Sequence, residues 1–172
     1  MRRIRYAVAM SLDGYIAGPK GEADWIIMDP EIDFKGLFNQ FDTILLGRRT
    51  FAAARKQGGA GGIPGMKTYV FSRSLRPNDH PGVTVVAGRQ KERLKELKLM
   101  PGKDIWLMGG GSLFGSLLEV GMVDTVEVAV IPVVLGAGIP LITPPAKKAA
   151  LKLIKSRVYR KSGIVSLEYE VK

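Results

Sequence analysis

Short apolar runs alternate with segments whose apolar residues recur at helical spacing, and this alternation continues through most of the chain. Arg3 to Met10 is apolar and β-branched and predicts a first strand. The turn residues Ser11-Leu-Asp-Gly14 end it, and a short extended piece, Tyr15 to Ala17, follows before Gly18-Pro19-Lys20-Gly21 breaks the chain. Asp29-Pro30 has the form of a helix start, with Asp29 as cap and Pro30 at the first position. Ile32, Phe34, Leu37, Phe38 and Phe41 give that helix an apolar face to about Gln40. Thr43 to Leu46 predicts a second, buried strand, which Gly47-Arg48-Arg49-Thr50-Phe51 turns into a short helix through Ala52, Ala53 and Ala54. Gly58 to Gly65 then reads as a mobile loop.

Lys67 to Phe71 and Val83 to Val86 are the next strands, joined by a connector rich in turn residues (Pro77, Asn78, Asp79, Pro81, Gly82). Gln90 to Leu99 predicts a helix with Leu94 and Leu97 inward, stopped by Pro101-Gly102. Ile105 to Met108 is continuously apolar, as a strand covered on both faces should be, and runs into Gly109-Gly110-Gly111 and a helix starting at or near Ser112. Such a junction suits a phosphate: glycines let a ligand approach the backbone, and the helix presents unpaired N–H groups to it. A tight βα turn with nothing bound explains the same residues equally well. Thr125 to Leu135 is a long strand region containing Pro132, with a turn or bulge over Gly136 to Pro140. Leu151 to Arg160 and Gly163 to Val171 alternate as a terminal antiparallel hairpin.

The order of elements implies a three-layer α/β fold: a mostly parallel central sheet, helices on both faces and an antiparallel C-terminal edge. Ligands in such sheets bind beyond the carboxyl ends of the strands. Four of these ends carry groups that suit an anion: Ala9-Met10 with the loop after it, Gly47-Arg48-Arg49-Thr50, Ser72-Arg73, and Gly109-Gly110-Gly111.

Composition narrows the class. At 172 residues, 46% apolar and 24% charged, the chain is expected to form one globular domain spanning 1–172. It has no cysteine, so disulfides, thiolate metal sites and cysteine nucleophiles are excluded, and no metal is expected. The apolar run at the start is interrupted by Ser11 and Asp13 and is too short for a secretory signal, while no run approaches the ~20 residues of a membrane span. A cytoplasmic protein is the expectation. The net charge of +10 attracts polyanions, but the basic residues are scattered and lack interleaved aromatics. A phosphorylated small ligand accounts for them better than nucleic acid does.

The segments Ala9-Met-Ser-Leu-Asp-Gly-Tyr-Ile-Ala17, Gly47-Arg-Arg-Thr-Phe51, Gly109-Gly-Gly111 and Pro132-Val-Val-Leu-Gly-Ala-Gly-Ile-Pro-Leu141, in this order and spacing, resemble the dihydrofolate reductase fold. More closely, they resemble the C-terminal reductase domain of bifunctional riboflavin-biosynthesis deaminase-reductases. The resemblance covers nearly the whole chain. It implies a dihydrofolate reductase-like fold, NADPH as cofactor, a small heterocyclic substrate such as a 5-amino-6-ribosylaminopyrimidine or pterin-like compound, and a homodimer.

Carried over residue by residue, the resemblance places the backbone of Ala9 and Ile16 at the nicotinamide carboxamide. Gly47, Arg48, Arg49, Thr50, Ser72 and Arg73 fall around the adenosine and its phosphates. Met108, Gly109, Gly110, Gly111, Ser112 and Leu113 form the wall at the pyrophosphate and nicotinamide. An acid on the first helix faces the pterin in dihydrofolate reductases; Asp33 and Glu31 occupy that region here, Asp33 serving equally well as a first-turn carboxylate. Two departures argue against folate itself. Met66 stands where those enzymes place an arginine for the folate glutamate, and Ala129 replaces a threonine that supports their catalytic carboxylate. An alternative is a nucleotide-binding or interaction protein that keeps the fold without turnover. The apolar regions Val126-Val128-Val130 and Val133-Val134-Leu135 are the surface the dimer expectation rests on.

Overall fold

The computed structural model describes residues 1–56 and 62–172. Its main sheet comprises β1 (Ile4–Ser11), β3 (Phe41–Gly47), β4 (Lys67–Phe71), β5 (Thr84–Val86), β6 (Asp104–Gly109), β7 (Thr125–Ile131), β9 (Leu151–Tyr159) and β10 (Ile164–Val171), ordered β5-β4-β3-β6-β1-β7-β10-β9. A two-stranded ribbon of β2 (Tyr15–Ala17) and β8 (Ile139–Pro140) stands apart from it. The strands from β5 to β7 are mutually parallel, and β10 and β9 add the antiparallel edge. Helices α1 (Phe34–Phe38), α2 (Arg48–Lys56), α3 (Gln90–Leu99) and α4 (Gly111–Glu119) complete the layers.

Alternate side chains go to opposite faces. Ile4, Tyr6, Leu45, Tyr69, Ile105, Leu107, Val126 and Val128 pack with Leu94 and Leu97 of α3 and Phe114 and Leu117 of α4. Ile44, Leu46 and Val70 pack on the opposite side against Phe51 of α2, with Trp106 and Met108. A third cluster joins Ile131, Tyr159 and Ile164 to Ala9, Trp25 and Ile32. Strands buried on both sides therefore read as uninterrupted apolar runs in the sequence.

Element boundaries differ from expectation at four places. The helix expected from Pro30 to Gln40 is a single turn, Phe34–Phe38. Asp29 Oδ1 accepts the Glu31 N–H at 2.8 Å and closes a turn instead, and Asp33 becomes the cap by accepting from Gly36 N at 2.8 Å. The glycine-rich helix begins at Gly111, one residue from Ser112 as expected, but its cap is Gly110. The helix after the second apolar run starts directly at Arg48 and reaches Lys56. The strand expected to extend to Leu135 ends at Ile131, one residue before Pro132, which has no N–H to give a ladder. Gly58 to Gly61 of the glycine-rich loop lie outside the described residues.

Most cations near the amino ends of the strands have partners. Arg2 pairs with Asp42, and Arg3 meets Asp104 at 3.1 Å. Arg5 donates to Glu127 at 2.6 and 2.7 Å and to Gln40 at 2.6 Å, and Lys98 reaches Asp124 at 2.7 Å. Burial alone would pull the Arg5 guanidinium down; its bonds to Glu127 and the charges of Glu127, Asp104 and Glu168 outweigh that and raise it. This end of the sheet is built for stability.

Tyr6, fully buried and stacked on Phe114 at 3.9 Å, donates its hydroxyl to Leu141 O at 2.9 Å. Burial pushes its phenol up, so it stays a donor. Tyr6→Phe is expected to cost about 1 kcal/mol in chemical denaturation, because the carbonyl loses its partner while the ring packing survives.

Candidate functional site

β1 pairs with β7 over seven positions, Arg5 to Ser11, but with β6 over only three, Ile4 to Tyr6. Beyond Tyr6 no ladder joins the two central strands, and the unpaired edges at their carboxyl ends are the candidate cleft. Arg3 O accepts from Ile105 N at 2.8 Å, and Ala7 O accepts from Trp106 Nε1 at 2.8 Å. Odd-numbered residues of β1 thus direct their backbone groups toward β6, and by the two-residue period Ala9 is next, facing the cleft. Ala9 lies beside Ala129 in register, so two small side chains flank this position.

The other wall is made where β6 and β3 end side by side. The Gly109–Gly110 peptide is cis, and Gly109 has φ +124. A Cβ at Gly110 would sit 3.4 Å from Thr50 Oγ1, and one at Gly47 would sit 3.6 Å from Gly109 O and 3.7 Å from Leu113 Cβ. Gly47, Thr50, Gly109, Gly110 and Leu113 are therefore one contiguous cluster. Gly111 has no room for any side chain: a Cβ there would run into Pro140 O and lie 2.9 Å from Leu141 O. Among the described residues no side chain caps α4, so no cap offsets the positive end of its dipole. Ser112 is exposed in that first turn, whereas the Leu113 side chain is buried in the core.

Arg48 and Arg49 open α2 at the end of β3, and Arg73 follows the end of β4, the neighbouring strand. All three are exposed, and none forms a salt bridge among the described residues. Ser72 is buried, and its hydroxyl accepts from Ser74 N at 3.2 Å and Leu75 N at 3.1 Å, so it shapes the turn that presents Arg73. Arg89 is a further exposed arginine at a strand end, one that the sequence pattern did not single out. It caps α3 at the end of the next strand, β5, in a left-handed conformation (φ 51), and is exposed and unpaired among the described residues. The arginine between Gly88 and a helical pattern was the signal available for it.

On the other side of the cleft, the β2–β8 ribbon carries Ile16, which is half-buried. Asp13 ties this ribbon down, accepting from Ser11 Oγ at 2.7 Å and from Leu135 N and Gly136 N at 3.1 and 2.7 Å. The Ser11 bond and then the two amides hold its carboxyl below the usual range. Because its pKa is lower in the folded than in the unfolded chain, the tie contributes at neutral pH and fades as pH falls through the depressed value. Hydrogen exchange at Leu135 and Gly136 is expected to lose protection on acidification, and Asp13→Asn to show that lost protection already at neutral pH.

Glu31 and Asp33 are both exposed. Asp33 caps α1, and Glu31 lies 3.5 Å from Arg157. Asp29 is the buried carboxylate of this segment, its pKa lowered by the nearby Ser162 hydroxyl and then by the Glu31 amide, and its Oδ2 makes no hydrogen bond of ordinary geometry among the described residues. His80 packs edge-on against Phe51 and meets Arg55 at 3.0 Å, on the far side of α2. Met66 packs into the α2-side core. Among the described residues, no group of three or more His, Cys, Asp or Glu side chains is placed to hold a metal, and no helix is long and apolar enough to cross a membrane.

Known proteins share this arrangement. The profile of the RibD C-terminal domain matches residues 2–165. The uncharacterized protein YyaP of Bacillus subtilis (strain 168) is 37% identical over 179 residues, covering 98% of this chain and 94% of that protein. Among solved structures, a putative riboflavin biosynthesis protein from Shewanella sp. PV-4 matches with a TM-score of 0.82 at 24% identity, over 100% of this chain and 99% of that one. Dihydrofolate reductase from Enterococcus faecalis, complexed with NADP(H), matches with a TM-score of 0.73 at 18% identity, over 99% and 96% of the two chains. These likenesses show a dihydrofolate reductase-like fold and a reductase-type family.

Proposed function

Because the chain belongs to the RibD C-terminal domain family, we propose that the cleft between β1 and β6 binds NADPH and that the protein reduces a small heterocycle. The observation that carries this reading is the parted β1–β6 ladder, walled by a glycine run that a side chain would fill and flanked by uncommitted arginines. A dinucleotide fits those residues. The uncapped start of α4 suits a pyrophosphate, Thr50 adds a hydroxyl beside it, and Arg48, Arg49 and Arg73 suit the dianionic 2′-phosphate that separates NADPH from NADH. The inward-facing backbone of Ala9, with Ile16 across the opening, suits a carboxamide.

When bound, NADPH supplies the hydride. The chain's part is to orient the two reacting rings and keep water out. Leu12, Ile27, Met28 and Val134 are exposed apolar side chains on the loops of the substrate side, a rim suited to a flat heterocycle such as a ribosylaminopyrimidine or a pterin-like compound. Asp33 and Glu31 are the acids proposed to complete the reduction.

The test is NADPH oxidation with a panel of ribosylaminopyrimidines and pterins. Turnover with at least one member is expected. Cofactor binding without turnover on any would favour a non-catalytic nucleotide-binding protein, a reading to which the use of Asp33 as a helix cap lends support.

A further inference from the structure

Charge is segregated along the chain in a way that the net value of +10 hides. From Thr43 to Asn78 there are seven arginines and lysines and no carboxylate, and this stretch supplies Arg48, Arg49 and Arg73 at the ends of β3 and β4. From Leu12 to Asp33 there are six carboxylates, Asp13, Glu22, Asp24, Asp29, Glu31 and Asp33, against one lysine, Lys20. The fold sets the two stretches on opposite sides of the cleft. Leu12 N donates to Val133 O at 2.8 Å just past the end of β1, and β2 pairs with β8. Trp25 and Ile32 pack on the cluster of Ile131, Tyr159 and Ile164, which Ala9 and Ala129 also join. The acidic stretch is thus a strap at the carboxyl ends of β1 and β7, while β6 separates β1 from β3 and its arginines.

The cations set against the strap answer only part of its charge. Lys20 faces Glu22, Arg157 lies 3.5 Å from Glu31, and Lys161 faces the buried Asp29. Asp13, Glu22, Asp24 and Asp33 are exposed, and none forms a salt bridge among the described residues. Among and beside them Leu12, Met28 and Val134 are 67%, 66% and 66% exposed. Bare apolar side chains gathered beside a cleft mark a face that a ligand covers, and the uncompensated carboxylates around them set the sign of charge that this ligand can carry.

We infer that the substrate is neutral or cationic and carries no phosphate or carboxylate group. This rests on the reading of the cleft as an NADPH site: the phosphates of the cofactor take the basic half, and the half left for substrate is apolar and acidic. A phosphate on that side would stand among like charges within a screening length of about 8–10 Å. Selection of this kind works by repelling the wrong ligand as much as by holding the right one.

A ribosylaminopyrimidine and its 5′-phosphate differ only in the group at issue. On the NADP-loaded protein at low salt the phosphate-free compound is expected to bind at least about tenfold more tightly, and the gap should narrow in about 0.5 M NaCl. Asp24→Lys should narrow it at least about threefold, whereas Glu119→Lys, the same change of charge at the far end of α4, should leave it as it is. The sign of the local field can be read without any substrate. Trp25 lies in the strap, and Trp106→Phe leaves it the only tryptophan. Relative to their action on N-acetyltryptophanamide, caesium should quench Trp25 more effectively than iodide, against the +10 of the whole molecule. A chain that fails to bind NADPH would defeat the cofactor reading, and the substrate inference would fall with it. Equal or tighter binding of the 5′-phosphate, or stronger quenching by iodide, would overturn the inference alone.

Discussion

Gly111→Ala is expected to destabilise the protein by about 3 kcal/mol, because there is no volume for a single methyl group. Its Cβ would enter the Pro140 carbonyl oxygen and stand 2.9 Å from that of Leu141. Both obstacles are backbone, and both are tied in place. Leu141 N donates to Gly14 O at 2.9 Å, Leu141 O accepts from Tyr6, and Thr143 N donates to Gly111 O at 3.3 Å. Moving the 140–143 segment aside would therefore disturb the β2–β8 ribbon and the buried Tyr6 together. Roughly 6–12 °C should be lost in Tm, with NADPH affinity falling at least tenfold, since the first turn of α4 shifts with the residue. Gly82→Ala is the control: nothing lies within 4 Å of its Cβ position, and it should cost less than about 0.5 kcal/mol. A Gly111→Ala variant as stable as that control would mean that the α4 start is not packed as described.

The second large effect is expected from Arg48→Ala and Arg73→Ala, and it should appear in binding and not in stability. A cation at a helix N-terminus opposes the dipole and is slightly unfavourable in the free protein, yet α2 begins with two of them. Thermal stability should stay unchanged or rise a little on removing Arg48. NADPH affinity should fall about 10- to 100-fold for each substitution, the value of a charge-assisted hydrogen bond to a phosphate. Affinity for NADH should change little. The double variant need not show the product of the two losses, because both side chains would grip one phosphate. If NADPH and NADH weakened equally, the arginines would be serving the pyrophosphate or the fold instead.

The strand ends were the most legible part of the site. Continuous apolar runs stopping at Gly47, Ser72 and Gly109 marked strands buried on both faces, and the residues just past them lie where the sheet topology brings ends together. Helix starts were less legible, because capping depends on local competition. Asp29 and Asp33 are both good cap types four residues apart, and only the turn closed by the Glu31 amide shows that the second one begins the helix. Ser112 looked like a cap, but Gly110 takes that place and the serine is left in the first turn. Arg89 was not singled out in the sequence, since its place near the other strand ends follows from β5 standing beside β4, a fact of topology. The parted β1–β6 ladder has no sequence signal either: Ala7 and Ala9 read as ordinary strand residues, and the register alone shows where pairing stops.

Isothermal titration of the intact chain with NADPH, NADH and 2′,5′-ADP tests the central claim most directly. One NADPH site of micromolar affinity or tighter is predicted, with measurable binding of 2′,5′-ADP and NADH at least about tenfold weaker. A chain that binds none of the three would contradict the account.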